Sequence, residues 1–195
     1  MAQRAWRLSA AAVAVAAFAV ASLINDYLPG RDDILNRPFP RAAVVDEDVQ
    51  LRTGSVRVSN VGVARAVEWN FSRAQTEEVF LTFSLTYLPN GEETTVGPVE
   101  VVDASGRIFG GTQAHGRSLR CGASQAGVAV TCDMAVEMPA DALEDARLRV
   151  WNFNSGNGDD YADVALPLDA DRVAALVSSA GDYTISPPTF SRSEK

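Results

Sequence analysis

Histidine and cysteine, the side chains that most often bind transition metals, are scarce in this sequence. Its 195 residues include one histidine, His115, and two cysteines, Cys121 and Cys132. The cysteines are too few for a four-ligand zinc set and too far apart for a C-x-x-C redox motif. The Gly-x-Ser-x-Gly pattern of a nucleophile elbow is also missing. A small hydrolase is the enzymatic alternative, using either His115 with Ser118 or Ser124 or the loop that holds Asp159 and Asp160. We nevertheless expect a protein that is not an enzyme and has no cofactor.

Lysine is nearly absent as well, and the chain is acidic. Lys195 is the only lysine, and the formal net charge is −8. The first 24 residues hold two arginines and no acids, so the remaining residues carry −10. Such a surface repels phosphate backbones, which excludes nucleic acid as an expected partner. An arginine-rich chain with abundant Ala, Val and Gly is typical of a GC-rich bacterial genome.

Long apolar runs are missing except at the start of the chain. Arg4 and Arg7 precede an uncharged segment, 8–24, which is predicted to be either an uncleaved membrane anchor or a cleaved signal peptide. The small-x-small sequence 19–21 favours cleavage near Ala21, whereas apolar residues beyond that site favour the anchor, which we prefer. The anchor residues are Leu8, Phe18, Leu23 and Ile24.

The two arginines also predict orientation. Positive flanks stay in the cytoplasm, so the chain is predicted to be a single-pass protein of the cell membrane with its N-terminus inside and its domain outside. If the peptide is cleaved near Ala21, the same domain is secreted.

Beyond the leader, the pattern predicts an antiparallel β-sandwich. Segment 25–48 mixes prolines with charged residues and is predicted to be a linker. From Val49 the apolar residues recur every second position, most clearly in 80–88 and 128–138. A helix is predicted at 171–179, with Asp169 or Asp171 as its cap. The polar, proline-containing tail after it is predicted to be disordered.

Four sequence segments carry a family resemblance. GSVRVSNVGV at 54–63, VFLTFSLTY at 79–87, VDASGR at 102–107 and AVEMP at 135–139 resemble the telokin-like, immunoglobulin-like domains of exported proteins and lipoproteins of Gram-positive bacteria. The resemblance covers about residues 49–168 and implies an immunoglobulin-like sandwich. That family is of largely undefined function and supplies no catalytic residues. No cysteine lies near the leader here, so the lipid anchor of its lipoprotein members is not available.

The expected organisation therefore has four parts. Residues 1–24 are a signal-anchor or signal peptide, and 25–48 are an extracytoplasmic linker. The immunoglobulin-like sandwich occupies 49–170, and a short helix with a disordered tail occupies 171–195.

The two cysteines are predicted to form a disulfide. An exported chain meets an oxidising compartment, and Cys121 and Cys132 both have the parity of apolar strand faces, so their sulfur atoms are expected on the same side of a hairpin. Two separate buried thiols are the main alternative, and a redox-active pair is a further one.

The segment 152–163 gathers oxygen-bearing side chains that calcium prefers. Asn157, Asp159, Asp160 and Asp163 form a weak candidate calcium site, although the spacing lacks the terminal Glu of the helix-loop-helix pattern. The alternative is an ordinary loop between strands, composed of residues that are common in turns.

Aromatic residues near this segment are candidate contact residues. Trp151 and Phe153, with Tyr161 nearby, form an aromatic patch if Leu148 and Val150 face the core. The alternative is that a second layer or the C-terminal helix covers them.

Together these features predict a non-catalytic, extracytoplasmic, membrane-tethered binding or scaffolding module of a bacterial cell envelope. Its expected partner is another envelope protein or a cell-wall component, with the membrane contacted through the N-terminal helix. A small extracytoplasmic hydrolase and a secreted, calcium-stabilised module are the alternatives.

Overall fold

Strands dominate the described part of the chain. The computed structural model describes residues 38–70, 72–91, 93, 95–111, 121–152 and 160–192. The strands are β1 (Phe39–Val44), β2 (Asp48–Leu51), β3 (Gly54–Trp69), β4 (Ser72–Pro89), β5 (Val96–Val102), β6 (Ile108–Gly110), β7 (Val128–Met138), β8 (Arg147–Asn152), β9 (Asp160–Ala165), β10 (Gly181–Thr184) and β11 (Thr189–Arg192). Helix α1 spans Ala170–Ser178, and a 3₁₀ turn spans Ala140–Ala142.

The strands form two sheets. The first sheet has the order β1-β9-β8-β5-β6, and the second has the order β10-β3-β4-β7-β11, with β2 also paired to β3. Buried apolar side chains from both sheets form one main core. The expectation of a β-sandwich is confirmed.

The second sheet is built around the long hairpin of β3 and β4. Leu81, Phe83 and Leu85 alternate along β4 and are almost completely buried. Their partners on β7 are Val136, Met134 and Cys132. Because alternate side chains point to the same face of a strand, these cross-strand pairs place one apolar layer against the first sheet.

The predicted linker extends too far into the domain. Residues 39–44 form β1, which pairs in parallel with β9 at the edge of the first sheet, and β2 begins at Asp48. The compact unit accordingly starts at Pro38 rather than at Val49. Prolines and charges concealed this strand, but an edge strand tolerates Pro40 because one side of its backbone needs no ladder partner.

Helix α1 begins one residue earlier than predicted, and the Asp169 side chain accepts a hydrogen bond of 2.8 Å from the Arg172 N–H.

The prediction of a disordered tail is wrong for residues 181–184 and 189–192. After the helix, β10 pairs in parallel with β3 and β11 pairs antiparallel with β7. Strands of four residues are too short to show a period in sequence, and these gain their hydrogen bonds from a sheet that already exists.

The predicted anchor lies outside the described residues, including Leu8, Phe18, Leu23 and Ile24. Within the described ranges, no helix is long and apolar enough to cross a membrane.

Cys121 and Cys132 form the predicted disulfide, with their Cα atoms 5.6 Å apart. Both residues belong to the main core. The bond ties Cys121 to β7, on the face where Cys132 pairs with Leu85.

Replacing both cysteines with serine is expected to lower the free energy of unfolding by about 3 kcal/mol, because the closed loop no longer restricts the unfolded chain. Urea denaturation of the oxidised protein and of the Cys121→Ser/Cys132→Ser variant measures this difference. Alkylation should detect two thiols only after reduction. A loss near zero would contradict a stabilising role.

Gly54 lies at a close backbone approach between β3 and the end of β4. A Cβ atom on this residue would lie 2.4 Å from the Leu88 carbonyl oxygen and 2.8 Å from Cε2 of Tyr87. Tyr87 is fully buried and donates a hydrogen bond of 3.1 Å to the Thr53 carbonyl, so neither neighbour moves freely.

Gly54→Ala is therefore expected to destabilise the fold by about 1–3 kcal/mol through overpacking. Gly91→Ala is the matched control, since a Cβ there meets nothing within 4 Å. The urea midpoint of Gly54→Ala should be clearly lower than that of Gly91→Ala. Equal midpoints would show that the strands accommodate the added Cβ atom without loss of stability.

Candidate functional site

The outer face of the first sheet carries a mixed polar and aromatic surface. On β8, Leu148 and Val150 are buried in the core, so the alternate residues Arg147, Arg149 and Trp151 point away from it. Strand register then aligns two rows across this face. One row is Glu100, Arg149 and Asp163, and the next contains Trp151 and Tyr161.

Trp151 and Tyr161 form a stacked pair. Their ring centroids are 4.5 Å apart with an interplanar angle of 22°. The indole Nε1 of Trp151 donates a hydrogen bond of 3.0 Å to Oε2 of Glu100. Tyr161 is only 9% exposed, whereas Trp151 is half-buried. The pair is therefore held rigidly, with its polar end directed along the sheet.

Arg149 completes this cluster. Its guanidinium carbon lies 5.7 Å from the centroid of the Tyr161 ring, within the range of a cation–π contact. Its Nε atom is buried and has no hydrogen-bond partner among the described residues. We name Glu100, Arg149, Trp151 and Tyr161 the aromatic–arginine patch.

The carboxylates beside Arg149 are each hydrogen-bonded to another side chain. The carboxylate of Asp163 accepts one hydrogen bond of 2.9 Å from Nε of Arg147, and the main-chain carbonyl of Asp163 accepts a second, of 3.1 Å, from Nη2 of the same arginine. Glu100 accepts the bond from Trp151. Arg149 is thus flanked by two acids on the sheet, yet the described structure shows no ion pair between it and either of them.

Exposed apolar residues lie at both margins of the same face. Val44 aligns with Ala165, and Ile108 aligns with Val102, in the row next to Arg149. Val44 is 48% exposed and Ile108 is 57% exposed. The patch is therefore bordered by apolar side chains that water covers in the isolated chain.

The sequence singled out only part of this patch. The candidate contact residues from the sequence are Trp151 and Phe153, with Tyr161 nearby. The structure places Trp151 and Tyr161 together, while Phe153 lies outside the described residues. Arg149 and Glu100 were missed. The only signal for them was alternation: each stands between two apolar residues of a strand, and a charge at such a position is most simply read as a solvated side chain.

The candidate calcium residues are not gathered where the structure describes them. Asp160 and Asp163 lie on β9 rather than in the expected loop, and side chains three positions apart on a strand face opposite sides. Asp160 accepts hydrogen bonds from Nε of Arg41 at 3.1 Å and from the Arg52 N–H at 3.2 Å. Asn157 and Asp159 lie outside the described residues. Within those ranges no three metal-ligating side chains come together.

The residues considered for hydrolysis are also not assembled in the described part of the chain. His115 and Ser118 lie outside it. Ser124 is buried, and its hydroxyl donates a hydrogen bond to the carbonyl of Val128. This serine therefore fixes the turn before β7.

Asp103 is the buried acid of the turn between β5 and β6. One of its oxygens accepts hydrogen bonds from the N–H groups of Ser105 and Arg107, at 2.9 and 2.8 Å, and from the Ser105 hydroxyl. The other oxygen is ion-paired with Nε of Arg107. Burial acts to raise the pKa of Asp103, but these hydrogen bonds outweigh it and lower the pKa to about 2. The carboxylate is thus a structural anion rather than a proton donor.

Comparison with known proteins yields only remote fold similarities. No family model matches the chain, and no curated protein matches it. The yjhA protein from Bacillus subtilis is 15% identical, with a TM-score of 0.46 over 63% of this chain and 99% of that one. An uncharacterized β-sandwich protein from Clostridium difficile 630 is 8% identical, with a TM-score of 0.41 over 70% and 99% of the two chains. The description of the fold as two sheets is therefore based on the strand pairing of this chain and not on these similarities.

The stability of the fold is expected to depend on the ionisation of Asp103. Because its pKa is lower in the folded state, the stabilisation is fully present above about pH 4 and is lost as the pH falls through about 2. Asp103→Asn should therefore be less stable than the parent at pH 7, and the gap should narrow between pH 4 and pH 2. Thermal unfolding across this range measures it.

Asp141→Asn is the matched control, because Asp141 also approaches Arg107, at 3.7 Å, but is 77% exposed. Exposed ion pairs contribute little, so this variant should follow the parent at every pH. If the difference in melting temperature between the parent and Asp103→Asn stayed constant from pH 4 to pH 2, it would contradict the lowered pKa of Asp103.

Proposed function

We propose that this protein is a non-catalytic, extracytoplasmic binding or scaffolding module of a bacterial cell envelope, tethered to the membrane by its N-terminal segment. In this proposal the sandwich is an immunoglobulin-like domain of the telokin-like kind. Its partner is another envelope protein or a cell-wall component, and it binds through the outer face of the first sheet.

The observation that carries the proposal is the aromatic–arginine patch. Trp, Tyr and Arg are the residue types most enriched at the energetically important centres of protein interfaces. Here one of each lies within a single cluster, and Val44 and Ile108 add exposed apolar surface at its margins. Restrained aromatic side chains also lose little conformational entropy when a partner covers them.

The other outer face is less suited to a partner. The C-terminal segment from β10 to β11 crosses the outer side of the second sheet, where Tyr183 and Ile185 pack against Phe80, Ala64 and Val67. The chain itself therefore covers part of that surface, which leaves the first sheet as the better candidate.

Two features of the sequence support the location. The charged and apolar leader predicts export with an outward-facing domain. The Cys121–Cys132 disulfide suits an oxidising compartment. If the leader is cleaved near Ala21, the same face acts on a secreted domain.

A photocrosslinking amino acid placed at Ile108 tests the proposed surface. In intact cells, with the full chain, this position should yield a discrete adduct, because it borders the aromatic–arginine patch. The matched control is the same amino acid at Phe190, which is also 57% exposed but lies on β11 of the second sheet. Gel shifts followed by mass spectrometry identify the adduct.

Trp151→Ala, introduced together with the probe at Ile108, should reduce the adduct severalfold, since truncation of a central interface residue commonly costs more than about 1 kcal/mol. Equal adducts from Ile108 and Phe190, or none from either, would count against binding through this face.

A further inference from the structure

Among the described residues, no side chain forms an ion pair with Arg149 on the face where binding is proposed. A guanidinium has five N–H donors and no acceptor. In the described structure the flanking Asp163 is held by Arg147, and Glu100 is held by Trp151. The Nε atom of Arg149 is already removed from water without a hydrogen bond to replace it.

Such an arrangement favours a negatively charged ligand. The buried Nε is closed to an incoming ligand, but Arg149 as a whole is only half-buried, so an acceptor meets the terminal Nη groups of its guanidinium. A carboxylate is the best-matched acceptor because its two oxygens fit the guanidinium fork and both groups are charged. The cation–π contact with Tyr161 holds the guanidinium along the sheet and keeps it from turning freely into water.

We propose that Arg149 is the anchor of a carboxylate-binding site, occupied by an acidic side chain of a partner protein. This inference rests on the proposed function and specifies the chemistry of the partner. Glu100 and Asp163, on either side, repel a carboxylate that is displaced from Arg149, so they confine the ligand to one position in the row.

A protein side chain fits this site better than an acidic sugar does. Sugar rings bind to aromatic faces that are open to solvent, but Tyr161 is only 9% exposed and its ring is stacked against Trp151. Apart from half-buried Trp151, the exposed apolar surface around the patch consists of aliphatic margins at Val44 and Ile108. An acidic residue with apolar neighbours matches both parts of this surface.

The indole N–H signal of Trp151 reports ligand binding directly, because Trp151 lies beside Arg149. The chain has only three tryptophans, so the spectrum contains few signals. The full chain, labelled with ¹⁵N-indole tryptophan and kept in dodecyl maltoside, is titrated with N-acetyl-glutamate N-methylamide. The neutral control is N-acetyl-glutamine N-methylamide. Trp151→Phe assigns the signal. We expect saturable shifts of the Trp151 signal with the acid and none with the amide.

Arg149→Gln should weaken this binding by about tenfold or more, as expected for the loss of a charge-assisted bidentate contact. Arg149→Lys keeps the charge without the fork and should be intermediate. Arg73→Gln is the matched control, because Arg73 is already paired with Glu68 and Asp182 on the second sheet, and it should bind like the parent. Unchanged urea midpoints confirm that each variant is folded.

Equal shifts with the amide, or undiminished binding in Arg149→Gln, would overturn the inference. Tighter binding of glucuronate than of the glutamate probe would also overturn it, in favour of an acidic glycan. The two proposals fail separately. Carboxylate binding without an adduct at Ile108 contradicts the proposed function, whereas an adduct that is unaffected by Arg149→Gln contradicts only the carboxylate anchor.

Discussion

The burial of β4 on both of its faces is the constraint on which the rest of this structure depends. Residues Val79 to Leu85 are all buried, although a strand with one solvated face would expose every second side chain. Its inner side chains meet the first sheet. Its outer side chains include Phe80, Thr82 and Ser84, and these must be covered by something other than the opposing sheet.

The C-terminal segment supplies that cover, and it does so with matching chemistry. Over Phe80 it places Tyr183 and Ile185. Near Ser84 the cover is polar. The Ser84 hydroxyl donates to Asp133 at 2.8 Å and accepts from Asn60 at 3.2 Å, and the Ser186 N–H donates to the other oxygen of Asp133 at 3.3 Å. Burial raises the pKa of Tyr183, and the negative charge of Asp133 raises it further. The segment thus satisfies buried polar groups and also leaves the first sheet with the more accessible outer face.

The sequence predicted the parts of this fold that are stabilised locally. Alternation along β4 and β7 predicted their buried faces, and a cap at Asp169 or Asp171 predicted the start of α1 to within one residue. It missed β1, β10 and β11. These strands have no strong pattern of their own, since each consists of four to six residues and adds to the edge of a sheet formed by other strands. Their existence is a property of the assembled sheet, which a local window of sequence does not contain.

The aromatic–arginine patch is unpredictable from the sequence for a related reason. The chain has many acids and arginines, so composition does not show which of them pair. An arginine that stands between two acids on a sheet would ordinarily form an ion pair with one of them. Here Arg147 contacts both the carboxylate and the main-chain carbonyl of Asp163, a two-point contact that favours Arg147 over Arg149 as the partner of that acid. Trp151, in turn, directs one oxygen of Glu100 toward its indole N–H. The unpaired state of Arg149 on this sheet therefore follows from the register of β8 between β5 and β9. A shift of one residue would turn Arg149 into the core and remove the site.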